Sequence, residues 1–430
     1  MNKYYRNGLL LMWVLLRNKP FIKLFLGKIA SNIGDSMYAI AAMWLVYELS
    51  HSAFYTGLAG FLTKTPDVFQ FLAGPFIDRW SLRKTLMLTQ LCQIILVLII
   101  PIVHYTGNLH VWMVLLIMPI ISCIQQFSYP AQTVALPKLL KKDDLVKGNS
   151  LFSFANQGID MTFNGIAGVL ISLIGAVTIY LLDSIVFMVA FLLFWSLPSF
   201  KTEEKEKKGK QTLTHAFNKY ARDLKEGFQY VFQSIISKFF IATIIANFSF
   251  GVALAVMPVY ADFRGGSTIY GFLMGAFSAG FLIGALLSSV AGNFPLGRTM
   301  IITYLFSAAL WISSAFLPWD IPAVILYGIS LIPLGATQVL LAATGQRIIP
   351  DSLLARVFSV ISSLSSAAMP LGFLIGGSLG TVLGGQLVFA IGGLGMLSIS
   401  LVWFIVSDLR RIPRVSDIHA EVYGLSKTVD

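Results

Sequence analysis

The sequence predicts an all-α integral membrane protein with twelve transmembrane helices, arranged as two six-helix bundles related by pseudo-symmetry. Of its 430 residues, 56% are hydrophobic and only 12% are charged, whereas about a quarter of a typical soluble domain is charged. Apolar runs reach roughly 20 residues, the length at which a helix crosses a bilayer. The two halves of the chain also resemble each other weakly, which is typical of membrane proteins built from repeats.

The distribution of positive charge predicts the topology. All but three of the 31 Lys and Arg residues fall in or beside alternate connections between the apolar runs; the exceptions are Lys28, Lys64 and Arg264. By the positive-inside rule these basic connections are cytoplasmic, so both termini are expected in the cytoplasm and the number of spans is even. We therefore expect a multi-pass protein of the cell membrane, most simply a bacterial plasma membrane. The net charge of +11 then reflects topology and predicts no nucleic-acid partner.

Twelve spans divide the chain into five regions. We expect an N-terminal interfacial segment at 1–20, a first bundle at 21–197, a cytoplasmic linker at 198–238, a second bundle at 239–407 and a cytoplasmic tail at 408–430. Apolar residues recur every three or four positions from Leu213 to Val231, which predicts an amphipathic helix in the linker. It lies on the membrane surface or packs as a cytoplasmic helix, and both interpretations remain open. The spans are expected to centre on Asp35, Lys64, Ile95, Ile121, Asp160, Phe187, Ala253, Gly280, Ser307, Leu334, Ser366 and Leu397.

Matching segments in the two halves support the repeat. SAFYTGLAG (52–60) resembles STIYGFLMG (267–275) at the start of the second span of each half. Carriers built from repeats bind their cargo between the halves near the bilayer midplane. Small residues recur every four positions, which predicts close approach of helix backbones, with helix sliding as an alternative for the second series. The two series are Ala276, Gly280, Gly284 and Ser288, and Gly372, Gly376, Gly380 and Gly384.

A short charged stretch, GPFIDRWSLRK (74–84), separates the second and third apolar runs. Gly74 permits a tight turn, and Asp78 can face the positive N-terminal end of a neighbouring helix. Arg79 and Arg83 can pair with acids or with helix carbonyl ends across the two halves, forming a lock that holds one conformation. The simpler alternative is that these charges only fix topology, but an acid such as Asp78 does not contribute to the positive-inside bias.

The stretch resembles the loop signature of the major facilitator superfamily, G-x-x-x-D-R followed by basic residues. Ser81 and Leu82 depart from that signature, and Leu296 replaces its acid in the second half. YPAQTVALPKLLKKDDLVKGNSLFS (129–153) and MPLGFLIGG (369–377) are similar to the macrolide-efflux branch of drug:proton antiporters, as are Ile33-Gly34-Asp35 and Leu182-Asp183-Ser184. The resemblance covers roughly residues 20 to 408. In the antiporter motif of span five, however, Ile166 replaces a proline.

The resemblance implies a proton-coupled secondary transporter that exports amphipathic or lipophilic small molecules by alternating access. Lysophospholipid and siderophore carriers share the same fold and are the alternative. The implied partners are a small-molecule cargo, protons and the lipid bilayer. No cofactor is implied, and a monomer is expected.

Three acids inside the predicted spans are the candidates for proton coupling, because an intramembrane acid is costly and usually functional. Asp35 comes first: it lies near mid-span, and a carboxyl group in a low-dielectric site can bind and release a proton near neutral pH. The alternative is a permanent hydrogen bond or a pair with Lys64. Asp160 comes second. Asp183 lies nearer the outer end of its span, where a structural hydrogen bond is the simpler interpretation and proton transfer the alternative.

Polar residues within the spans are candidates for a substrate cavity. A mostly apolar cavity with few polar groups suits an amphipathic molecule. Lys64 is expected to pair locally with Asp67, or else with Asp35, and as a free cation it would reject cationic cargo. The candidates are Asn32, Lys64, Gln125, Gln126, Asn156, Gln157, Asn164, Asn247 and Gln338, of which Asn156, Gln157, Asp160 and Asn164 are expected to share one helix face.

Other classes of protein fit the sequence poorly. The sequence contains no Walker A motif for ATP-driven transport. Its five histidines form no tight cluster, so neither a metal site nor an intramembrane enzyme is expected. A non-transporting sensor would need a signalling domain, which the short tails do not supply.

Overall fold

The computed structural model describes residues 18–70, 80–141, 144–198, 228–232, 236–349 and 351–418. This part of the chain is helical apart from short connections. Its long helices are α1 (Lys19–Ser50), α2 (Ala53–Val68), α3 (Leu82–Tyr105), α4 (Val111–Leu139), α5 (Leu145–Ile174), α6 (Ala176–Trp195), α7 (Ile236–Arg264), α8 (Ser267–Ala291), α9 (Leu296–Phe316), α10 (Asp320–Ile348), α11 (Asp351–Leu383) and α12 (Gly385–Ile405). The short helix α13 (Ser407–Arg410) and a 3₁₀ turn (Val415–Asp417) follow.

Ten helices in the described ranges are long and apolar enough to cross a membrane, and they fall within α3 to α12. Helix α1 has 32 residues but carries a stripe of polar side chains, and α2 is described over 16 residues. Every predicted span centre lies within one of the helices α1 to α12. The total of twelve spans stays a prediction.

Contacts divide the chain into two compact units. Unit 1 is Met1–Leu45 with Phe69–Lys210, and unit 2 is Val46–Val68 with Gln211–Asp430. Helix α1 therefore begins in unit 1 and ends in unit 2, and α2 belongs to unit 2. The predicted amphipathic helix of the linker lies mostly outside the described residues, as does most of the interfacial segment and most of the tail. The predicted bundle boundaries remain predictions.

Unit 1 has an apolar core at one end of its helices. Helix α3 packs against α4 and α6, and α5 packs against α6. The rings of Phe21, Phe25 and Phe152 stack with centroids 5.8–6.3 Å apart. Leu86 and Phe194 are fully buried in the same cluster. This cluster fixes the beginning of α1 against α5, about three to four turns before the polar stripe reaches Asp35.

Unit 2 is organised around the fully buried indole of Trp311. The ring centroids of Phe250, Tyr327 and Phe389 lie 5.0–5.7 Å from that of Trp311. The indole Nε1 donates a hydrogen bond of 2.9 Å to the carbonyl oxygen of Phe389. A buried indole N–H needs such an acceptor, so α9 is held against α12 by a polar contact as well as by packing.

Small residues let the helices of unit 2 approach closely. A Cβ added to Gly372 would lie 2.1 Å from the carbonyl oxygen of Phe248 on α7, and one added to Gly284 would lie 2.1 Å from that of Ile332 on α10. Real Cβ atoms do not approach a backbone oxygen so closely. The predicted close approach of backbones is confirmed at these two positions.

Gly175 and Gly384 make equivalent turns in the two halves. Each is the single residue between two helices, α5 and α6 in one half and α11 and α12 in the other, with φ values of 80° and 81°. A Cβ at either position would meet no atom within 4 Å. The backbone conformation, which only glycine adopts readily, is therefore what requires glycine here.

Arg264, the exception among the outer connections, is neutralised locally. Its side chain is 6% exposed, and its guanidinium lies 3.4 Å from the carboxylate of Asp320. It also donates a hydrogen bond of 2.9 Å to the carbonyl oxygen of Ala315. Because the pair carries no net charge, this arginine leaves the predicted charge bias nearly unchanged.

The packing at Gly372 predicts the effect of a single methyl group. In Gly372→Ala the methyl would force α11 away from Phe248 on α7, and overpacking of this kind typically costs about 1–3 kcal/mol. We expect a lower midpoint of thermal unfolding for the detergent-solubilised protein, measured by intrinsic tryptophan fluorescence. The matched control is Gly158→Ala on α5, where an added Cβ meets no atom within 4 Å and alanine favours the helix. Equal midpoints for the two variants would contradict the expectation.

Candidate functional site

Polar side chains form a stripe along α1 in unit 1. They recur at three- and four-residue spacing, so they lie on one side of the helix. Each contacts a polar side chain of α3, α4 or α5. The stripe consists of Lys28, Ser31, Asn32, Asp35 and Ser36.

Helices α1 and α5 meet through two matched polar pairs. The amide of Asn32 donates to the side-chain oxygen of Asn156, and the hydroxyl of Ser36 donates to the carboxylate of Asp160 at 2.8 Å. Both pairs are separated by 124 residues along the chain. A constant separation over one helical turn means that the two helices run side by side in the same direction. Asn156 and Asp160, predicted to share a face, thus both contact the stripe.

Asp35 is held by amide donors. Its Oδ1 accepts hydrogen bonds from the side-chain amides of Gln93 (2.9 Å) and Gln125 (2.7 Å). Gln90 supports this arrangement by donating to the side-chain oxygens of Gln93 and Ser31, at 3.0 and 3.2 Å. Within the described ranges no cation lies within 4.0 Å of Asp35. Sequence reasoning missed Gln90 and Gln93, although two amides one turn apart in an apolar helix were a usable signal.

Lys28 is a third residue whose place in the site the sequence analysis missed. Its side chain is 1% exposed, and its ammonium donates to the amide oxygen of Gln132 at 3.1 Å. The ammonium also lies 4.7 Å from the ring centroid of Tyr129 and 5.2 Å from that of Phe152. Sequence reasoning treated Lys28 only as an exception to the charge bias. Its position one turn before Asn32 could have placed it on the stripe.

The surroundings of Asp183 differ from those that the sequence analysis favoured. It is 0% exposed, and neither carboxylate oxygen has a hydrogen-bond partner in the described part of the chain. The buried hydroxyls of Tyr38 and Tyr180 likewise have none, and their rings meet edge to face at 5.8 Å. The expected structural hydrogen bond of Asp183 was therefore wrong. The physical reason is that the amides of α3, which packs on α6, are turned to Ser31 and Asp35.

Lys64 pairs with its neighbour on α2. Its ammonium lies 3.2 Å from the carboxylate of Asp67, and the two side chains are 41% and 36% exposed. Of the two partners considered, the local one is observed, and the charge of Lys64 is offset within one turn of helix.

Of the four residues assigned to the charged loop within the stretch 74–84, Arg83 is the one that the structure describes. The type of its partner agrees with the prediction, but the location of that partner does not. The guanidinium of Arg83 donates to the carbonyl oxygen of Trp195, the last residue of α6. This is a helix carbonyl end, as predicted, but both residues belong to unit 1, so the contact does not cross the two halves. Gly74, Asp78 and Arg79 lie outside the described residues.

Three further predicted cavity residues have distinct positions. The amide of Gln126 donates to the carbonyl oxygen of Ser122, one turn earlier on α4, at 3.2 Å. Asn164 lies on α5, one turn beyond Asp160. The backbone of Gln157 is helical, and its side chain is outside the described part.

Unit 2 contains a cavity of about 380 Å³ between α7, α10 and α11. Asn247 and Gln338, which the sequence named separately, both line it. Asn247 donates to the carbonyl oxygen of Thr243, while Gln338 makes no hydrogen bond with another described residue. The buried hydroxyl of Ser365, also in the lining, has no partner there either. The remaining described lining is mostly aliphatic, and none of the described lining side chains is charged.

A smaller cavity of about 90 Å³ adjoins the first and shares its residues Asn247 and Gln338. Its lining adds aromatic side chains, among them Phe281, Tyr304 and Trp403. Together the two cavities offer an apolar surface with a few unsatisfied polar groups, the composition that suits an amphipathic small molecule.

Comparison with known proteins identifies the family. A profile of the transmembrane secretion effector family matches residues 11–422. The chain belongs to this family, a branch of the major facilitator superfamily. The predicted resemblance to macrolide-efflux transporters is thereby confirmed.

Relatives in the family have names that refer to efflux. The multidrug efflux pump Tap of Mycolicibacterium fortuitum is 23% identical, over 92% of this chain and 98% of its own. Macrolide efflux protein A of Streptococcus pyogenes is 24% identical, over 91% of this chain and 97% of its own. The crystal structure of the nucleoside transporter NupG matches 90% of this chain and 98% of its own with a TM-score of 0.70, and at 11% identity it shows the fold alone. The chain is a multi-pass transporter of the cell membrane that moves small molecules, and it is not an enzyme.

The unit 2 cavity predicts a loss of affinity when its amides are removed. The probe is radiolabelled progesterone, a neutral lipophilic molecule whose carbonyl oxygens accept hydrogen bonds. It should bind more weakly to Asn247→Leu or Gln338→Leu than to the wild type, because each variant lacks one amide donor. One neutral hydrogen bond contributes about 0.5–1.5 kcal/mol, so we expect Kd to rise about 2- to 12-fold in equilibrium binding to the purified protein. Asn293→Leu, at an exposed connection between α8 and α9, is the control. Unchanged Kd in both cavity variants would exclude this cavity as the binding site.

Proposed function

We propose that the chain is a proton-coupled secondary transporter that exports amphipathic or lipophilic molecules of the macrolide or multidrug type by alternating access. In this proposal both termini are cytoplasmic, the transporter works as a monomer, and no nucleic acid is involved. Asp35 is the first candidate for the proton carrier and Asp160 the second. Asp183, without a partner in the described part of the chain, is the third.

The arrangement of Asp35 carries the proposal. Gln93 and Gln125 both donate to Oδ1, so a proton can bind Oδ2 without breaking either hydrogen bond. Amide donors position the carboxyl group, and a proton there does not have to displace a neighbouring cation. An intramembrane acid held in this way is well suited to bind and release one proton in each transport cycle.

The nature of the cargo rests on two observations. The described lining of the cavity of about 380 Å³ in unit 2 is mostly aliphatic and includes no charged side chain, which suits an apolar molecule with a few polar groups. The charge of Lys64 is offset by Asp67, which removes the main objection to a basic cargo such as a macrolide. The names of Tap and macrolide efflux protein A agree with this class of cargo.

The charged loop is assigned to the conformational step. Gly74, Asp78, Arg79 and Arg83 form the proposed gate, in which Asp78 faces a helix N-terminus and the arginines bind helix carbonyl ends. The bond from Arg83 to the end of α6 supports the second part of this assignment.

Export by cells tests the function. Macrolides and cationic dyes should accumulate less in an efflux-deficient bacterium that expresses the protein than in one with an empty vector, and a protonophore should abolish the difference. Asp35→Asn, which keeps the shape of the side chain but cannot ionise, should raise accumulation to the level of the empty vector. The matched control is Asp417→Asn, an exposed acid beyond α13, which should export normally.

Two results would count against the proposal. If the Asp35→Asn variant exported at the wild-type rate under an imposed pH gradient, Asp35 would be excluded as the proton carrier. If the protein lowers the accumulation of no compound relative to the empty vector, that result would favour lysophospholipid or siderophore cargo. Lipid transfer between vesicles would then be the measurement.

The gate assignment predicts a separation of rate from affinity. Asp78→Ala should slow turnover about tenfold, because the loop governs a conformational step, while Kd for the cargo changes less than about twofold. Initial rates in proteoliposomes and equilibrium binding in detergent measure the two quantities. Lys84→Ala, at the end of the same charged stretch in the first turn of α3, should alter neither, and unchanged turnover in Asp78→Ala would reduce the loop to a topology signal.

A further inference from the structure

Lys28 is buried without a carboxylate partner. Lysines are almost never fully buried unless they are paired, yet in the described ranges no acid lies within 4.0 Å of its ammonium. The amide oxygen of Gln132 accepts one hydrogen bond, and the rings of Tyr129 and Phe152 face the ammonium as cation–π partners. Such rings stabilise a desolvated cation. The site is therefore built to hold a positive charge away from water.

The charge of Lys28 acts on two acids of the same network. Asp35 lies two helical turns after Lys28 on α1. Asp160 lies on α5, where it accepts the hydrogen bond from Ser36, the neighbour of Asp35. Lys28 interacts electrostatically with both. The other titratable groups nearby are Tyr129 on α4 and, around Asp35, Tyr38 and Asp183.

The two acids are accessible at the surface of the structure, whereas Lys28 is not. Asp160 is exposed, and Asp35 and Asn32 are half-buried, while Lys28 is 1% exposed. Cargo or a proton can therefore meet the carboxylates directly, and the lysine influences that encounter only through its charge.

The balance of charge follows from these positions. Asp183 is fully buried without a hydrogen-bond partner in the described part of the chain, so it counts as neutral, because an unpaired buried carboxylate is costly. With Lys28 protonated and Asp35 and Asp160 ionised, the network therefore carries a net charge of −1. Uncompensated charge is costly in a low-dielectric site. One proton makes the network neutral, and so does one cationic group of a cargo molecule.

We propose that Lys28 determines specificity by limiting the α1 network to one exchangeable positive charge, either a proton or a monocationic group of the cargo. This inference rests on the proposed function, because it takes the α1 network to be where the proton exchanges, and it adds that a cationic group of the cargo competes with the proton there. Without the lysine, the same two acids would accommodate two positive charges, and a dication would become an acceptable ligand.

Binding of two related dyes tests the inference. Ethidium and propidium share a phenanthridinium ring and carry one and two fixed positive charges. Purified wild-type protein in detergent should bind ethidium more tightly than propidium. In Lys28→Gln the ratio of the two Kd values should move toward propidium by about tenfold or more. Lys23→Gln, on the same helix at an exposed hydrogen bond to Ser196, should keep the wild-type ratio.

A double variant covers the case in which Lys28→Gln does not fold. Lys28→Gln combined with Asp160→Asn removes one charge of each sign, so it should fold and keep the wild-type preference for ethidium. An unchanged ratio in folded Lys28→Gln would overturn the inference. So would a double variant that prefers propidium, or failure of both variants to fold, because Lys28 would then be structural.

The outcome can be separated from that of the export experiment. If export depends on Asp35 and the proton gradient but Lys28→Gln leaves the ratio of the two Kd values unchanged, only the inference fails. If wild-type protein binds neither dye, the inference fails whatever the export assay gives, because a network with room for one charge must hold a monocation. If the ratio shifts as expected and no export occurs, the charge limit stands and the proposed direction of transport falls.

Discussion

A polar side chain inside a membrane span must find its partner within the protein, and unit 1 is built around this constraint. Lipid offers neither hydrogen bonds nor screening, and α1, which the sequence predicts to be a span, carries an ammonium, a carboxylate, an amide and two hydroxyls. Helices α3, α4 and α5 supply a matching group to each. Apolar packing alone would leave the rotation of α1 weakly determined, because lipid tails are as apolar as leucine. The polar pairs fix that rotation.

Unit 2 solves the same problem with few charges. Its helices approach through glycine and are held by a buried aromatic cluster around Trp311. Close backbone approach maximises van der Waals contact, which drives helix association in lipid. Where α7, α10 and α11 separate, they leave the cavity in which Gln338 and Ser365 have no partner among the described residues. Ser365 is buried, and an unsatisfied buried hydroxyl is costly unless something binds it, whereas Gln338 is exposed and can donate to a ligand.

The sequence predicted the helices and the polar faces better than it predicted the partners. Hydropathy located every span centre inside a helix, and helical spacing placed Asn156 and Asp160 on one face, because both signals are local. Which residues meet depends on how neighbouring helices are aligned, and periodicity does not determine that alignment. The sequence therefore did not indicate that Asp35 would face Gln93, or that Asp183 would have no partner in the described part. Lys28 was missed because its charge was weighed only as a topology signal.

The acids of the described chain differ in what holds them: several pair with a cation, whereas Asp35 is held by amides. Asp67, Asp144, Asp320 and Asp408 each pair with a cation. At Asp408, which lies beyond the last span, the bond from Lys238 lowers the pKa of the carboxyl group, so that this acid stays ionised near neutral pH and carries no proton. Asp35 is held by two neutral amides, which can hold its carboxyl group whether or not Oδ2 is protonated. If Asp35 carries the proton, as we propose, no cation has to move when it is protonated, so the helices around it can keep their arrangement while the charge of the network changes.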